Sequence, residues 1–170
     1  MKENLSDKMK SEAVSLGLCA QWTADWEDNS SKDEMIEKFI SGIDFCIARN
    51  WPSCEIMKKY FGDRMHDHGV YVDENVNLYS PKTLVLNGEC VADITYGETS
   101  SGEIHVRHNC TLNLKVDFLS RVFVNVYDNA KVNIKCDYSS KVFVYQYGGK
   151  IGEIKGNNII IRDRKNFKFK

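Results

Sequence analysis

TLNLKVDFLSRVFVNVYDNAKVNIKCDYSSKVFVYQYGGK, residues 111–150, is the stretch that decides the fold. Cut into tens, it carries apolar residues at positions two, four and six and turn-formers such as Asp, Asn, Gly and Ser in the last four places. Alternation of this kind is a strand with one buried face, and its recurrence at fixed period marks an array whose units bury that face only against their neighbours. The pattern runs without a gap from PKTLVLNGEC (81–90) to IGEIKGNNII (151–160).

Two topologies fit a ten-residue unit. In an antiparallel β-meander each block pairs with the next, whereas in a solenoid with two blocks per coil it pairs with the next but one. The identities favour twenty. Phe123 matches Phe143, Tyr127 matches Tyr147, Asn113 matches Asn133, Lys115 matches Lys135 and Lys155, Ser100 matches Ser120 and Ser140, and Cys90 matches Cys110. Identical residues stacked at strand spacing, about 4.8 Å, gain aromatic stacking and amide ladders. The reading is therefore a parallel β-solenoid of about four coils, with Asp128-Asn129 as the dipeptide that keeps a hairpin meander open. Its interior columns are Leu84, Ile104, Val124, Val144; Leu86, Val106, Val126; and Ile94, Leu114, Ile134, Ile154.

Ahead of the repeat the apolar period is 3.6. Ser31 and Glu34 form a capping box, after which Met35, Ile36, Phe39, Ile40, Ile43, Cys46 and Ile47 make one stripe, predicting a helix to Arg49. Trp51-Pro52-Ser53 starts another, with Cys54, Met57, Tyr60 and Phe61 on one face; an earlier helix carries Met9, Ala13 and Leu16, with Trp22 and Trp26 on a further turn. Three tryptophans are expected to anchor this part. The class is thus α+β: a helical N-terminal region over 1–68 that caps the first coil, a solenoid over 69–160 and a basic tail over 161–170. Lysines and arginines in the closing NNIIIRDRKNFKFK suit an exposed sheet edge, where charge deters pairing with other chains.

The chain has 23 basic and 24 acidic residues among 170, a net charge of −1. Wholesale electrostatic binding of nucleic acid is not indicated. No apolar run approaches the roughly 20 residues of a membrane span, and the opening MKENLSDKMKSEAV has no apolar leader, so no membrane contact and a cytoplasmic location are expected. The six cysteines form no CxxC pair and read as buried reduced thiols.

The segments GIDFCIARNWPSCEIMKKYF (42–61), GVYVDENV (69–76), EIHVRHNC (103–110) and RVFVNVYDNAKV (121–132) resemble a family of small uncharacterised proteins of gut bacteria and their phages or mobile elements, in which a helical front end precedes a β-repeat with Tyr-Asp-Asn-Ala turns. The likeness covers nearly the whole chain. It implies architecture and a mobile-element context; it brings no activity, cofactor or catalytic residue.

His66-Asp67-His68 on an extended segment could turn two imidazoles to one ion, but a polar loop explains it equally and no third ligand is identifiable, so no metal and no cofactor are expected. His105 and His108 flank Arg107, and Glu103 shares the face of His105, which any charged strand could show. Walker, GxGxxG, GxSxG and HExxH motifs are absent. The stronger signal is outward: Phe123, Tyr127, Phe143, Tyr145 and Tyr147 fall on odd positions facing one way and form an aromatic surface. A loop or the tail could cover it, a protein partner or a second copy could dock on it, or sugars or bases could stack there beside the lysine ladder. The expected function is a non-enzymatic protein-binding or assembly module; the alternatives are a metal-dependent or histidine-based enzyme and a protein that binds nucleic acid or a host-defence component.

Overall fold

The computed structural model describes residues 4–170 and divides into two compact units, one reaching Met65 and including Lys168–Lys170, the other spanning His66–Phe167.

In the first unit α1 (Leu5–Ser15), α2 (Ala20–Ala24), α3 (Lys32–Ser41), α4 (Ile43–Arg49) and α5 (Cys54–Tyr60) follow in order. Asn4 caps α1 through the amides of Ser6 and Asp7, and the Ser31 capping box is complete: the Glu34 N–H donates to Ser31 Oγ and the Ser31 N–H to Glu34 Oε2. Those bonds hold the Glu34 carboxyl below its ordinary value. The single helix expected from the capping box to Arg49 is two. The break falls at Gly42, whose backbone (φ −101°, ψ 28°) leaves helical geometry between α3 and α4. Of the three tryptophans only Trp26 is buried, its Nε1 donating to Ser6 Oγ at 3.0 Å beyond the end of α2; Trp22 and Trp51 are half-buried.

The second unit is the solenoid. Its strands are β1 (Val70–Val72), β2 (Asn75–Tyr79), β3 (Thr83–Asn87), β4 (Val91–Tyr96), β5 (Ser101–Val106), β6 (Thr111–Val116), β7 (Arg121–Val126), β8 (Lys131–Cys136), β9 (Lys141–Gln146), β10 (Lys150–Lys155) and β11 (Ile159–Asp163). Odd strands make one parallel sheet in the order β1-β3-β5-β7-β9-β11 and even strands the other, β10-β8-β6-β4-β2. Val124 pairs with Ile104 and Val144, each twenty residues away. The meander is thereby excluded.

Two of the predicted interior columns line the six-stranded sheet and face the third, on the five-stranded sheet, where Ile94, Leu114 and Ile134 are buried but the predicted end member Ile154 is exposed. Leu84, Ile104, Val124 and Val144 have no exposed surface, and Leu86, Val106 and Val126 likewise. Tyr96 also turns inward. Gly102 makes room for it, since a β-carbon there would meet the Tyr96 hydroxyl at 2.4 Å.

Asp128-Asn129 forms a corner between sheets instead of a hairpin turn. Gly88, His108 and Asp128 occupy the left-handed region at the same place in successive coils, and each corner borrows a cap from the next: the Gly88 N–H donates to His108 Nδ1 at 2.9 Å and the His108 N–H to Asp128 Oδ2 at 2.8 Å. At the opposite corner the Ser100 N–H donates to Ser120 Oγ and the Ser120 N–H to Ser140 Oγ.

The period holds at twenty only inside. Val70 pairs with Val85, Asn75 with Val91 and Val142 with Ile159, so the terminal coils are shorter, and β10 carries a bulge between Ile151 and Ile154 against β8. Ile159 and Ile160, which occupy turn positions in the ten-residue alignment, are strand residues because the last corner is short.

Candidate interaction surface

The outward face of the six-stranded sheet is built from three columns. Register stacks Thr83, Glu103, Phe123, Phe143 and Ile160 in one and Val85, His105, Asn125, Tyr145 and Arg162 in the next. At the strand ends Tyr127 lies against Tyr147. Register and ring stacking bring the five expected aromatic residues to one side of the sheet, but Tyr127 is no part of an exposed surface. Phe123, Phe143, Tyr145 and Tyr147 are half-buried, while Tyr127 retains only 3% of its surface.

Ring geometry fixes what the face can offer. Phe123 and Phe143 stack with centroids 5.1 Å apart and planes at 11°; Tyr127 and Tyr147 stack at 5.1 Å and 9°. Parallel in-register strands impose that arrangement, and it turns the ring faces along the ladder toward each other. The edges point outward. Tyr147 also meets Phe167 in a T-shaped contact with centroids 5.7 Å apart, so the segment after β11 covers part of the column. Lys141 Nζ lies 5.6 Å from the Phe143 ring.

Beside the rings lies a polar network. His105 Nδ1 is 3.1 Å from the Tyr127 hydroxyl and its Nε2 3.5 Å from Glu103 Oε1, which accepts from Asn125 Nδ2 at 3.1 Å. Arg107 is fully buried and donates to Asn87 Oδ1 at 3.0 Å, while Asn87 Nδ2 donates to the Tyr71 carbonyl oxygen. The pairing of His105 with Glu103 holds, with both imidazole nitrogens engaged inside a packed sheet face. His108 is separate from it: its imidazole serves the Gly88 corner, and burial, with the Arg107 charge beside it, lowers its pKa.

His66-Asp67-His68 lies on a 3₁₀ helix, Gly62–His68, and not on an extended segment. Alternate residues of a three-per-turn helix diverge. His66 instead stacks on Tyr71 at 4.6 Å and bonds Glu74 Oε1 at 2.9 Å. Among the described residues no group of three or more His, Cys, Asp or Glu is placed to hold a metal ion.

Lys115, Lys135 and Lys155 form their column on the five-stranded sheet, so the lysine ladder does not adjoin the aromatic face as expected. Odd and even blocks pass to different sheets. Around the lysines runs a groove of about 370 Å³ lined by Asn77, Asp93, Asn113, Asn133 and Glu153. Lys115 Nζ pairs with Asp117 at 2.7 Å, which raises its pKa, and Lys155 with Glu153 at 3.0 Å.

Two features escaped the residue pattern. The Cys110 thiol, with the Glu74 amide, holds the Cys90 thiol down to about 7 against its burial, whereas burial pushes Cys136 up to about 11. No disulfide joins the six cysteines; Cys46, Cys90, Cys110 and Cys136 are buried as expected, whereas Cys54 is half-buried and Cys19 is exposed ahead of the short α2, none of whose residues is buried. The other feature is a corner tip, where Phe118 is 68% and Tyr138 93% exposed. Phe118 and Leu119 hold successive left-handed backbone conformations, fixed by Asp137 Oδ2 and Ser139 Oγ accepting their amides.

Comparison with protein-family models, with curated proteins and with solved structures returns no match to this chain.

Proposed function

We propose that the protein is a non-enzymatic binding or assembly module whose partner, another protein or a second copy, seats on the aromatic columns of the six-stranded sheet. The observation that carries this reading is the Phe123–Phe143 stack beside Tyr145, three large side chains half-buried on the outward face of a rigid parallel ladder. Rings held by in-register neighbours lose little further freedom on contact, and aromatic residues of this kind anchor interface centres. A stacking platform for sugars or bases fits less well, because the ring faces already meet one another. Lys141 and Arg162 beside the rings supply a polar rim.

Size exclusion with light scattering on the wild type and on a Tyr145→Ser, Tyr147→Ser variant tests self-association. A dimeric wild type and a monomeric variant are expected of that form; a monomer for both removes it. For a heterologous partner the same pair of proteins is used as bait, and a bound protein retained equally by both places the contact elsewhere.

A further inference from the structure

The solenoid ends at β10 and β11 on apolar side chains that inner coils bury. Along one column Leu84, Ile104, Val124 and Val144 are inaccessible, yet Ile161 on β11 is 44% exposed. In the facing column Ile94, Leu114 and Ile134 are buried and Ile154 is 38% exposed. The inward positions continue the core, and the layer that would cover them is missing from the ladder.

The backbone of β11 is equally unfinished. Val142 donates its N–H to the Asn158 carbonyl oxygen at 3.0 Å, and Arg164 donates its own to the Gln146 carbonyl oxygen at 2.8 Å. In a parallel ladder a residue sends its amide and carbonyl to the same side and successive residues alternate. Ile160 and Arg162 therefore face β9, while Ile159, Ile161 and Asp163 turn their peptide groups to the open edge. β11 is the terminal strand of its sheet.

Charge narrows what can occupy that edge. The last coil carries Lys150, Lys155, Arg162, Arg164 and Lys165 against Glu153 and Asp163. A second copy brings the same excess and is repelled, whereas an acidic chain is attracted. We propose that β11 is a docking edge for an extended segment of another protein, apolar at alternate positions and acidic between them, which adds to the six-stranded sheet as a seventh strand. Its apolar side chains cover Ile159 and Ile161, and its carboxylates stack on the outward column beside Arg162 and Arg164. Strand addition of this type draws affinity from main-chain bonds and specificity from alternate side chains. The edge shares Arg162 with the rim of the aromatic columns but none of their rings, and the outward peptide groups of Ile161 and Asp163 report on the edge alone.

The probe is a synthetic capped peptide, EVEIEVE, compared with KVKIKVK by calorimetry on the full chain at low and high salt. Binding of the acidic peptide alone, weakened by salt and by roughly tenfold or more in an Arg162→Glu, Arg164→Glu variant, is expected. Amide exchange supplies a second reading on the unaltered protein: the Ile161 and Asp163 amides slow when the peptide is present, while those of Ile160 and Arg162 are slow throughout. Equal binding of both peptides, no binding of the acidic one, or binding that leaves the Ile161 and Asp163 amides unprotected overturns the proposal. So does a dimer in light scattering that protects those amides without peptide.

Discussion

Asn133 donates its side-chain amide to Asn113 Oδ1 at 2.9 Å, twenty residues back, and accepts the Glu153 backbone N–H on its own Oδ1 at 3.0 Å. Asn113 in turn donates to Asp93 Oδ1 at 2.8 Å. The chain of amides ties four coils together across the five-stranded sheet. Replacing Asn133 with Ala removes two of these bonds and is expected to cost about 1–2 kcal/mol. Urea denaturation reads this as a lower midpoint at unchanged slope, and an unaltered midpoint would mean the ladder is decorative.

Phe118 and Leu119 present the opposite case. Left-handed backbone costs a non-glycine residue about 1–2 kcal/mol, least for Asn. Both side chains are mostly exposed, so little packing offsets that cost. Phe118→Asn is expected to stabilise the protein by about 1 kcal/mol, and Leu119→Asn by a similar amount, as a rise in Tm. A fall in Tm for both would show that the side chains are held by contacts that their exposure conceals.

Asp137 contributes to acid stability through the bonds that hold its carboxylate. The backbone N–H of Phe118, with Ser139 and Ser140, holds its carboxyl down to about 2. An unfolded carboxyl titrates near 3.9, so the folded state binds this proton less readily and gains stability that is complete above about pH 4 and lost as pH falls toward 2. Asp137→Asn is expected to flatten that part of the stability curve relative to wild type. Parallel curves from denaturation at several pH values would assign the acid sensitivity to other carboxylates.

Depth along a single column sets the cost of truncation. Ile104 lies in mid-column with no exposed surface, and Ile161 ends the same column nearly half exposed. Ile104→Ala is expected to cost about 2–5 kcal/mol, and Ile161→Ala less than about 1 kcal/mol. Comparable losses in calorimetric Tm would mean that the last coil is covered in solution.

The inner coils were legible because their contacts are between like residues. A stacked Phe123 and Phe143, or Asn113 and Asn133, writes its spatial neighbour into the chain as an identity at distance twenty. At the ends that signal fades: pairing offsets of 15 to 17 residues put unlike residues side by side, as Tyr71 with Leu86 and Ile160 with Phe143. The aromatic face was visible through its odd-position spacing, but not the burial of Tyr127, which depends on His105 and Tyr147 closing around it. The Phe118 tip was hidden by its place in a run of turn-formers. The lysine column is legible at distance twenty, but it does not adjoin the rings, because the lysines fall on even strands and the rings on odd ones, which belong to different sheets.

A constant inner period of twenty makes this architecture tolerant of duplication. Excising residues 101–120 would bring Ser100 directly before Arg121 and leave every remaining inner strand on its own sheet, with Ser140 above Ser100 and Asn133 above Asp93, the acceptor that Asn113 now uses. Slippage by ten would exchange the two corner types and mismatch all that follow. Length in such a molecule can therefore change in whole turns at unchanged cross-section, and both ends would be inherited intact.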